Sequence, residues 1–285
     1  MSTTANIYTF RLRSIVALSL TSLVSLYGFL WPFLIDAQTS SRNLNTQVFF
    51  FAAVPLALAL LIVEISNERL DAKSVALLGV LAALTAALRP MGAGAAGIEP
   101  MWFVLILGAR VFGPSFGFIL GVLSMFVSAI LTGGFGPWLA YQMFAAGWIG
   151  LAAGALPNRI GKRSIRGRSE VLLLVLFGAV AAFAFGLLMD LQFWPWVLGA
   201  QTQISYSPTA SVGTNFHHFI IFHFASSMAW DVPRAILTSM LMILTAPAVL
   251  FALRRTQRKA AFVTPIEFQS AREFAISRAK QQKVV

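Results

Sequence analysis

A series of apolar runs, each about as long as the hydrocarbon core of a bilayer, dominates this sequence of 285 residues. A membrane-spanning helix needs about 20 predominantly apolar residues, and fewer where neighbouring helices cover its ends. Hydrophobic residue types make up 58% of the chain and charged types only 11%, which excludes a soluble globular domain. We therefore predict an all-α integral membrane protein with about eight transmembrane helices. The predicted spans are residues 14–35, 46–65, 73–89, 101–112, 115–131, 138–156, 170–190 and 231–253.

The run between residues 101 and 131 contains Gly113-Pro114, so it predicts either two short helices or one kinked helix. Cytoplasmic loops are enriched in Lys and Arg, and two basic segments flank this region, one before the third span and one at residues 159–168. If both segments are cytoplasmic, an even number of crossings must separate them. The sequence therefore favours two helices, because a single helix would give an odd number.

The basic residues are distributed unevenly around these spans. With eight spans and both termini in the cytoplasm, every Lys and Arg except Arg42, Arg89 and Arg234 falls on the cytoplasmic side. Such an asymmetry orients the helices and brings the basic side chains against anionic lipid headgroups. The net charge of +11 therefore predicts membrane lipid as a partner and no nucleic acid.

Two long outer connections, residues 90–100 and 191–230, contain no Lys or Arg and are rich in glycine, aromatic and polar residues. We predict that they are lids or gates. The glycines between Gly92 and Gly97 match the spacing of a dinucleotide-binding loop, but they follow a predicted helix and not a strand. We interpret them as a flexible loop that leads to Glu99, with Pro100 starting the next helix.

The predicted helix at 73–89 carries small residues along one face. Such a stripe allows another helix to approach closely within lipid. It fits either a partner protein or packing against neighbouring helices of the same chain. The stripe consists of Ala72, Ala76, Gly79, Ala83 and Ala87, and Gly113, Gly117 and Gly121 form a second row that we assign to internal packing.

Ionisable groups at the outer helix ends give few signs of catalysis. Asp231 and Arg234 have the spacing of a local ion pair. Asp190 precedes an aromatic cluster, Phe193 to Trp196, that forms either an interfacial belt or the wall of a pocket.

The histidines of the segment at 217–223 lack the spacing of metal ligands, and the chain has no cysteine. We therefore predict an amphipathic outer segment and no metal site. Neither a nucleophile motif nor a phosphate-binding loop is present, so we predict that the chain is not an enzyme, has no ATPase site and needs no cofactor.

The stretch from Gly97 to Pro157 resembles the substrate-binding S components of energy-coupling-factor (ECF) vitamin transporters, in the actinobacterial form. The resemblance extends over residues 72 to about 262 and is greatest to the cobalamin-type branch. The matching motifs are Glu99-Pro100, the turn from Arg110 to Gly117, Leu131 to Gly134 with Gly136 to Trp138, Phe193 to Pro195, and Trp230-Asp231 with Arg234-Ala235.

This resemblance implies a six-helix substrate-binding core at 71–262, preceded by an extension with two transmembrane helices at 1–70 and followed by a basic cytoplasmic tail at 263–285. It implies a bacterial plasma-membrane subunit that captures a vitamin or related micronutrient, with cobalamin as the candidate, and passes it inward. A separate transmembrane coupling subunit and two ATPase subunits would supply the energy. The small-residue stripe of the third span would contact the coupling subunit.

We expect the ligand cavity between the outer halves of the core helices, beneath residues 90–100 and 191–215. Carboxylate and amide groups would form hydrogen bonds with the ligand, and indoles would stack on it. Arg89 would neutralise an anionic ligand group or pair with Glu99. The candidate residues are Arg89, Glu99, Trp138, Gln142, Gln192, Trp194 and Asn215.

Two other classes of function remain as alternatives. An ion-coupled secondary transporter would require carboxylates near the bilayer midplane and an inverted repeat of broken helices, and neither is evident. A membrane scaffold without a ligand would leave the uncharged, aromatic outer connections unexplained.

Overall fold

The computed structural model describes residues 11–34, 72–92, 95–197, 202 and 204–261, together with seven positions between 52 and 62. The described part is almost entirely helical. Its helices are α1 (Leu12–Leu34), α2 (Ala72–Leu88), α3 (Met101–Phe112), α4 (Pro114–Thr132), α5 (Trp138–Ala155), α6 (Arg168–Val197), α7 (Val212–Ser226) and α8 (Met228–Ala261). Short 3-10 helices at Arg89–Gly92 and Ala95–Gly97 follow α2, and a small antiparallel hairpin, β1 (Arg159–Ile160) and β2 (Arg163–Ser164), connects α5 to α6.

Five of the described helices, α1, α2, α4, α6 and α8, are long and apolar enough to cross a membrane. This confirms the prediction of an all-α multi-pass membrane protein. Of the predicted second span, 46–65, seven positions are described and all are helical. The basic tail at 263–285 lies outside the described residues.

The chain breaks between α3 and α4 as the sequence predicts. Gly113 has a φ of 100°, a conformation that side chains with a Cβ disfavour, and Pro114 starts α4 at a position where its missing N–H leaves no donor unpaired. The interpretation of this region as two helices is therefore confirmed.

The prediction of a loop over residues 191–230 is wrong, because helix occupies most of this range. Helix α6 continues to Val197, and α7 fills residues 212–226. The side chain of Ser211 caps α7 by accepting a hydrogen bond from the Thr214 N–H at 3.1 Å. Asn215, Phe219, Phe222 and His223 form the buried face of α7. Because two of these residues are polar and the exposed ones include apolar side chains such as Phe216 and Phe224, the helix does not divide into the apolar and polar faces that an amphipathic segment requires.

The two rows of small residues have opposite environments. Gly117 and Gly121 of α4 lie directly against Gly150 and Ala146 of α5, so close that a Cβ on Gly117 or Gly150 would clash with the facing backbone. This confirms the prediction of internal packing for the second row.

On α2, by contrast, the described side chains of the stripe are exposed, and a Cβ on Gly79 would meet no atom within 4 Å. The interpretation that the α2 stripe packs against its own chain is therefore wrong for the described residues. These exposed positions are Ala76, Gly79, Ala83 and Ala87.

A buried ionic cluster joins the helices at the end that carries the basic hairpin. Arg110 of α3 donates from Nε to Glu170 Oε1 of α6 at 2.9 Å, and each of these side chains is only 2% exposed. Arg110 also donates to the Leu156 carbonyl at the end of α5, at 2.6 Å. Arg254 of α8 donates to the same carboxylate oxygen at 2.6 Å. One carboxylate thus holds together the ends of three helices.

Helix α1 packs onto the rest of the bundle. Phe29 meets Tyr141 edge-on with ring centroids 4.8 Å apart, and the Trp148 indole donates to Ser22 at 3.0 Å. The N-terminal extension is therefore in direct contact with α5.

We expect Gly150→Ala to lower the thermal stability of the purified protein, because the added methyl group must push α4 and α5 apart. Overpacking of this kind costs about 1–3 kcal/mol, and each kcal/mol corresponds to about 2–4 °C in Tm. The matched control is Gly79→Ala, which adds the same methyl group to an open helix surface and should leave Tm unchanged or raise it. Equal Tm values for the two variants would contradict the proposed close packing of α4 on α5.

Candidate functional site

A polar network at the end of the bundle opposite the basic hairpin contains three of the predicted ligand residues. Arg89, directly after α2, donates to Gln142 Oε1 of α5 at 3.2 Å and to Ser128 Oγ of α4 at 3.4 Å. Its Nε lies 3.8 Å from Glu99 Oε1. We call Arg89, Glu99 and Gln142 the outer triad, after the side of the membrane on which the sequence predicts them.

Glu99 connects this triad to α3 and α8. Its Oε2 accepts hydrogen bonds from the Trp102 indole at 3.1 Å and from Arg234 Nε at 3.2 Å. Arg89 and Arg234 therefore share one carboxylate, which lies just before α3 and stabilises the N-terminus of that helix.

Arg234 is buried and well paired. It donates to Asp231 Oδ1 at 2.6 Å, which confirms the predicted local ion pair, and its guanidinium carbon lies 5.2 Å from the centroid of the Phe185 ring. Ser227 donates to the other carboxylate oxygen of Asp231 at 2.5 Å. These contacts make Arg234 and Asp231 a structural support for Glu99.

Two arginines and two carboxylates balance the formal charge of this network. Its accessible part is the outer triad, since the Arg89 and Glu99 side chains are 18% and 13% exposed whereas those of Arg234 and Asp231 are more deeply buried. Arg89 can present a guanidinium to a carboxylate or phosphate, and Gln142 can donate and accept hydrogen bonds. The outer triad can thus bind a solute that has both anionic and amide-like groups.

Two further predicted residues hold a single short stretch of chain. The Trp194 indole donates to the Ile204 carbonyl at 2.7 Å. The Asn215 amide donates to the Ser207 carbonyl at 2.9 Å and accepts from the Ser207 N–H at 3.0 Å. We call residues 204–207 the pinned segment, because both ends of it are fixed by these side chains.

Aromatic rings surround the pinned segment. Trp194 packs against Tyr206, Phe219 and Phe33, with ring centroids 5.4 to 5.9 Å apart, and Trp31 meets Tyr206 at 5.2 Å. Burial raises the pKa of the Tyr206 phenol above its ordinary value. Phe33 and Trp31 belong to α1, so the N-terminal extension forms part of this aromatic cluster.

The aromatic residues after Asp190 divide between two environments. Trp194 is fully buried, whereas Phe193 and Trp196 are exposed. Asp190 itself lies 2.8 Å from His223 Nδ1, and this contact ties α6 to α7.

The other two predicted ligand residues differ in exposure. Trp138, at the start of α5, is exposed, and Gln192 of α6 is buried. The structure thus brings together Arg89, Glu99 and Gln142, and it places Trp194 and Asn215 around the pinned segment.

Sequence reasoning missed Ser128 and the link from Arg234 to Glu99. Ser128 belongs to a row of hydroxyl residues, Ser124, Ser128 and Thr132, that recurs every four positions in an otherwise apolar helix. That row marks one polar face of α4 and could have been found from the sequence. The link from Arg234 to Glu99 spans 135 positions and has no local signal.

Two open cavities lined by described residues lie away from these groups. One, of about 660 Å³, lies between the start of α6 and the end of α8. The other, of about 370 Å³, lies between α1 and Trp148 of α5. None of the seven predicted ligand residues lines either cavity.

The family model for the substrate-specific component of ECF transporters matches residues 73–246, which is more than half of the chain. The protein therefore belongs to the family of ECF transporter substrate-specific components. The family makes it a substrate-binding transporter subunit and not an enzyme, and it implies coupling and ATPase subunits as partners. The matched range includes the outer triad and the pinned segment, and it excludes α1. No curated protein and no solved structure matches the chain.

Proposed function

We propose that this chain captures a vitamin-class solute from outside at the outer triad and passes it inward with separate coupling and ATPase subunits. The observation that carries the proposal is the position of Arg89, a partly exposed arginine held by Gln142, Ser128 and Glu99 at the end of the bundle opposite the basic hairpin. The resemblance to the cobalamin-type branch makes a corrinoid the first candidate ligand. Trp138 and Gln192 remain candidate ligand contacts.

The outer triad is suited to exchange one partner for another. A ligand carboxylate or phosphate can replace Glu99 beside Arg89, because Glu99 keeps its bonds to Arg234 and Trp102. The displaced carboxylate then remains paired, which avoids the cost of an unpaired buried charge.

The pinned segment supports the proposal of an outer gate. Trp194, Asn215 and His218 hold residues 204–207 by hydrogen bonds, with His218 Nδ1 3.0 Å from the Ser205 carbonyl. Release of these bonds, together with separation of the Tyr206 ring from Trp31 and Trp194, would free the segment while α6 and α7 stay intact. We assign Trp194 and Asn215 to this gate, so they would influence the ligand by positioning the segment.

We further propose eight spans in the bacterial plasma membrane with both termini in the cytoplasm. The basic hairpin and the arginines of the last turns of α8 lie at one end of the bundle, linked through Glu170. Arg89 and Arg234 lie at the other end. This distribution agrees with the positive-inside rule if the hairpin end is cytoplasmic.

The exposed stripe on α2 supports a role in coupling. Ala76, Gly79 and Ala83 leave an open, shallow face on a helix that is apolar enough to span the membrane. Small side chains allow close helix contact in lipid, where packing drives association. We assign this face, with Ala72 and Ala87 at its ends, to the coupling subunit.

Arg89→Gln should weaken binding of the transported solute by about 10- to 100-fold, because a hydrogen bond to a charged group is lost. Isothermal titration with cobalamin and a panel of B vitamins provides the measurement. Arg159→Gln, which removes an exposed arginine of the hairpin, is the matched control and should bind like the wild type. Equal affinities for the two variants would rule out the outer triad as the binding site.

Ala83→Leu should prevent co-purification with the coupling subunit and abolish stimulation of the ATPase, since a bulky side chain blocks close helix approach. Solute binding by the isolated chain should stay at the wild-type level, which separates coupling from capture. Val80→Leu, on a neighbouring exposed position that is already large, is the control. Normal complex formation by Ala83→Leu would contradict the assignment of the stripe.

Transport without any ATPase partner would favour an ion-coupled carrier instead.

A further inference from the structure

The larger cavity combines a charged rim with an apolar floor. It has a volume of about 660 Å³, within the range of about 300–1,000 Å³ that is usual for ligand sites. It opens between the start of α6 and the end of α8. The polar side chains that line it are Arg168, Glu170, Arg254 and Arg258, and the apolar ones are Val171, Ile243, Pro247, Leu250 and Phe251.

The rim carries a surplus of positive charge. Glu170, the one carboxylate among the described residues that line the cavity, is already paired with Arg110, which lies outside the cavity. Arg254 shares that carboxylate and keeps 38% of its side chain exposed. Arg168 and Arg258 are exposed and make no ion pair with any residue that the structure describes. Of the three arginines that line the opening, only Arg254 has a carboxylate partner, and it shares that partner with Arg110.

The floor lies along one face of α8. Its α8 residues are separated by four, three and one positions, which places them on the same side of the helix. They are Ile243, Pro247, Leu250 and Phe251. Ile243 and Phe251 are exposed although they lie in the segment that is apolar enough to span the membrane. The apolar floor thus runs from the charged rim toward the bilayer interior.

We propose that this cavity binds an anionic phospholipid of the leaflet on the side of the basic hairpin. Arg168 and Arg258 contact the headgroup phosphate, Arg254 contributes its exposed donors, and the first part of an acyl chain lies on the α8 floor. Basic pockets between transmembrane helices recognise such headgroups, and guanidinium groups match phosphate geometry. A soluble anion would use the rim alone and leave the floor uncovered. The proposal is independent of which solute the outer triad binds.

The test uses the full-length protein, delipidated in mild detergent, and measures binding by native mass spectrometry and by titration. The probes are dioctanoyl phosphatidylglycerol, dioctanoyl phosphatidylcholine and inorganic phosphate. We expect the phosphatidylglycerol to bind more tightly than either of the other two. Equal binding of the two lipids would overturn the proposal, and so would phosphate binding as tight as that of phosphatidylglycerol, which would indicate a simple anion site.

Two sets of variants locate the binding. Arg168→Gln with Arg258→Gln should weaken phosphatidylglycerol binding by about 30-fold. The control, Arg159→Gln with Arg163→Gln, removes the same charge from the hairpin outside the cavity and should have little effect. Arg254 is left intact because it also holds Glu170. Equal losses in the two double variants would indicate general surface attraction and overturn the proposal.

Phe251→Ala tests the floor without changing any charge. It should weaken phosphatidylglycerol binding while leaving phosphate binding as it is, and an unchanged Tm verifies that the variant is folded. One further outcome would show that the lipid proposal is wrong and that the cavity is a protein-docking surface. In that case phosphatidylglycerol does not bind to the wild type, and the double variant Arg168→Gln, Arg258→Gln fails to associate with the coupling subunit.

Discussion

Arginines buried in an apolar helical bundle require carboxylate partners, because an unpaired charge in such an environment is very costly. This requirement determines how the helix ends are joined in this protein. At one end Glu170 forms ion pairs with Arg110 and Arg254. At the other end Glu99 forms ion pairs with Arg89 and Arg234. Removing either carboxylate would leave two guanidinium groups without their shared partner. Glu170 therefore holds one end of the bundle, and Glu99 holds the other with the support of Asp231.

The two ends use this constraint differently. The Arg110 and Glu170 side chains are almost fully buried, and Arg110 also bonds to a carbonyl at the end of α5, so this end forms a rigid support. At the other end, Arg89 is partly accessible, and its partner Glu99 also pairs with a second arginine, Arg234. An accessible arginine whose carboxylate partner can pair elsewhere suits the proposed binding and release of a solute. The asymmetry is consistent with capture at the outer end and attachment of partners elsewhere.

The sequence predicted the local features well and the long-range contacts poorly. The break at Gly113 and the ion pair between Asp231 and Arg234 follow from residues close together in the chain, and both are confirmed. Glu170 was missed because its pairing with Arg110 depends on how helices 60 positions apart pack together. Helix α7 was predicted as part of a loop because aromatic and polar residues weaken its apolar pattern, although Ser211 is a readable cap. The role of Trp194 as a ligand contact stays a prediction, and the hydrogen bond from its indole N–H to the Ile204 carbonyl had no signal in the sequence.

Identification of a bound molecule would show whether this family member captures a solute. The protein would be purified in mild detergent from cells supplied with B vitamins and cobalamin, then denatured. Mass spectrometry and visible absorption would identify any small molecule released in stoichiometric amount. We expect a vitamin-class molecule, with the absorption of a corrinoid if the ligand is the one that the resemblance to the cobalamin-type branch implies. The absence of any such molecule, together with no binding across a vitamin panel in titration, would contradict the proposed capture of a solute.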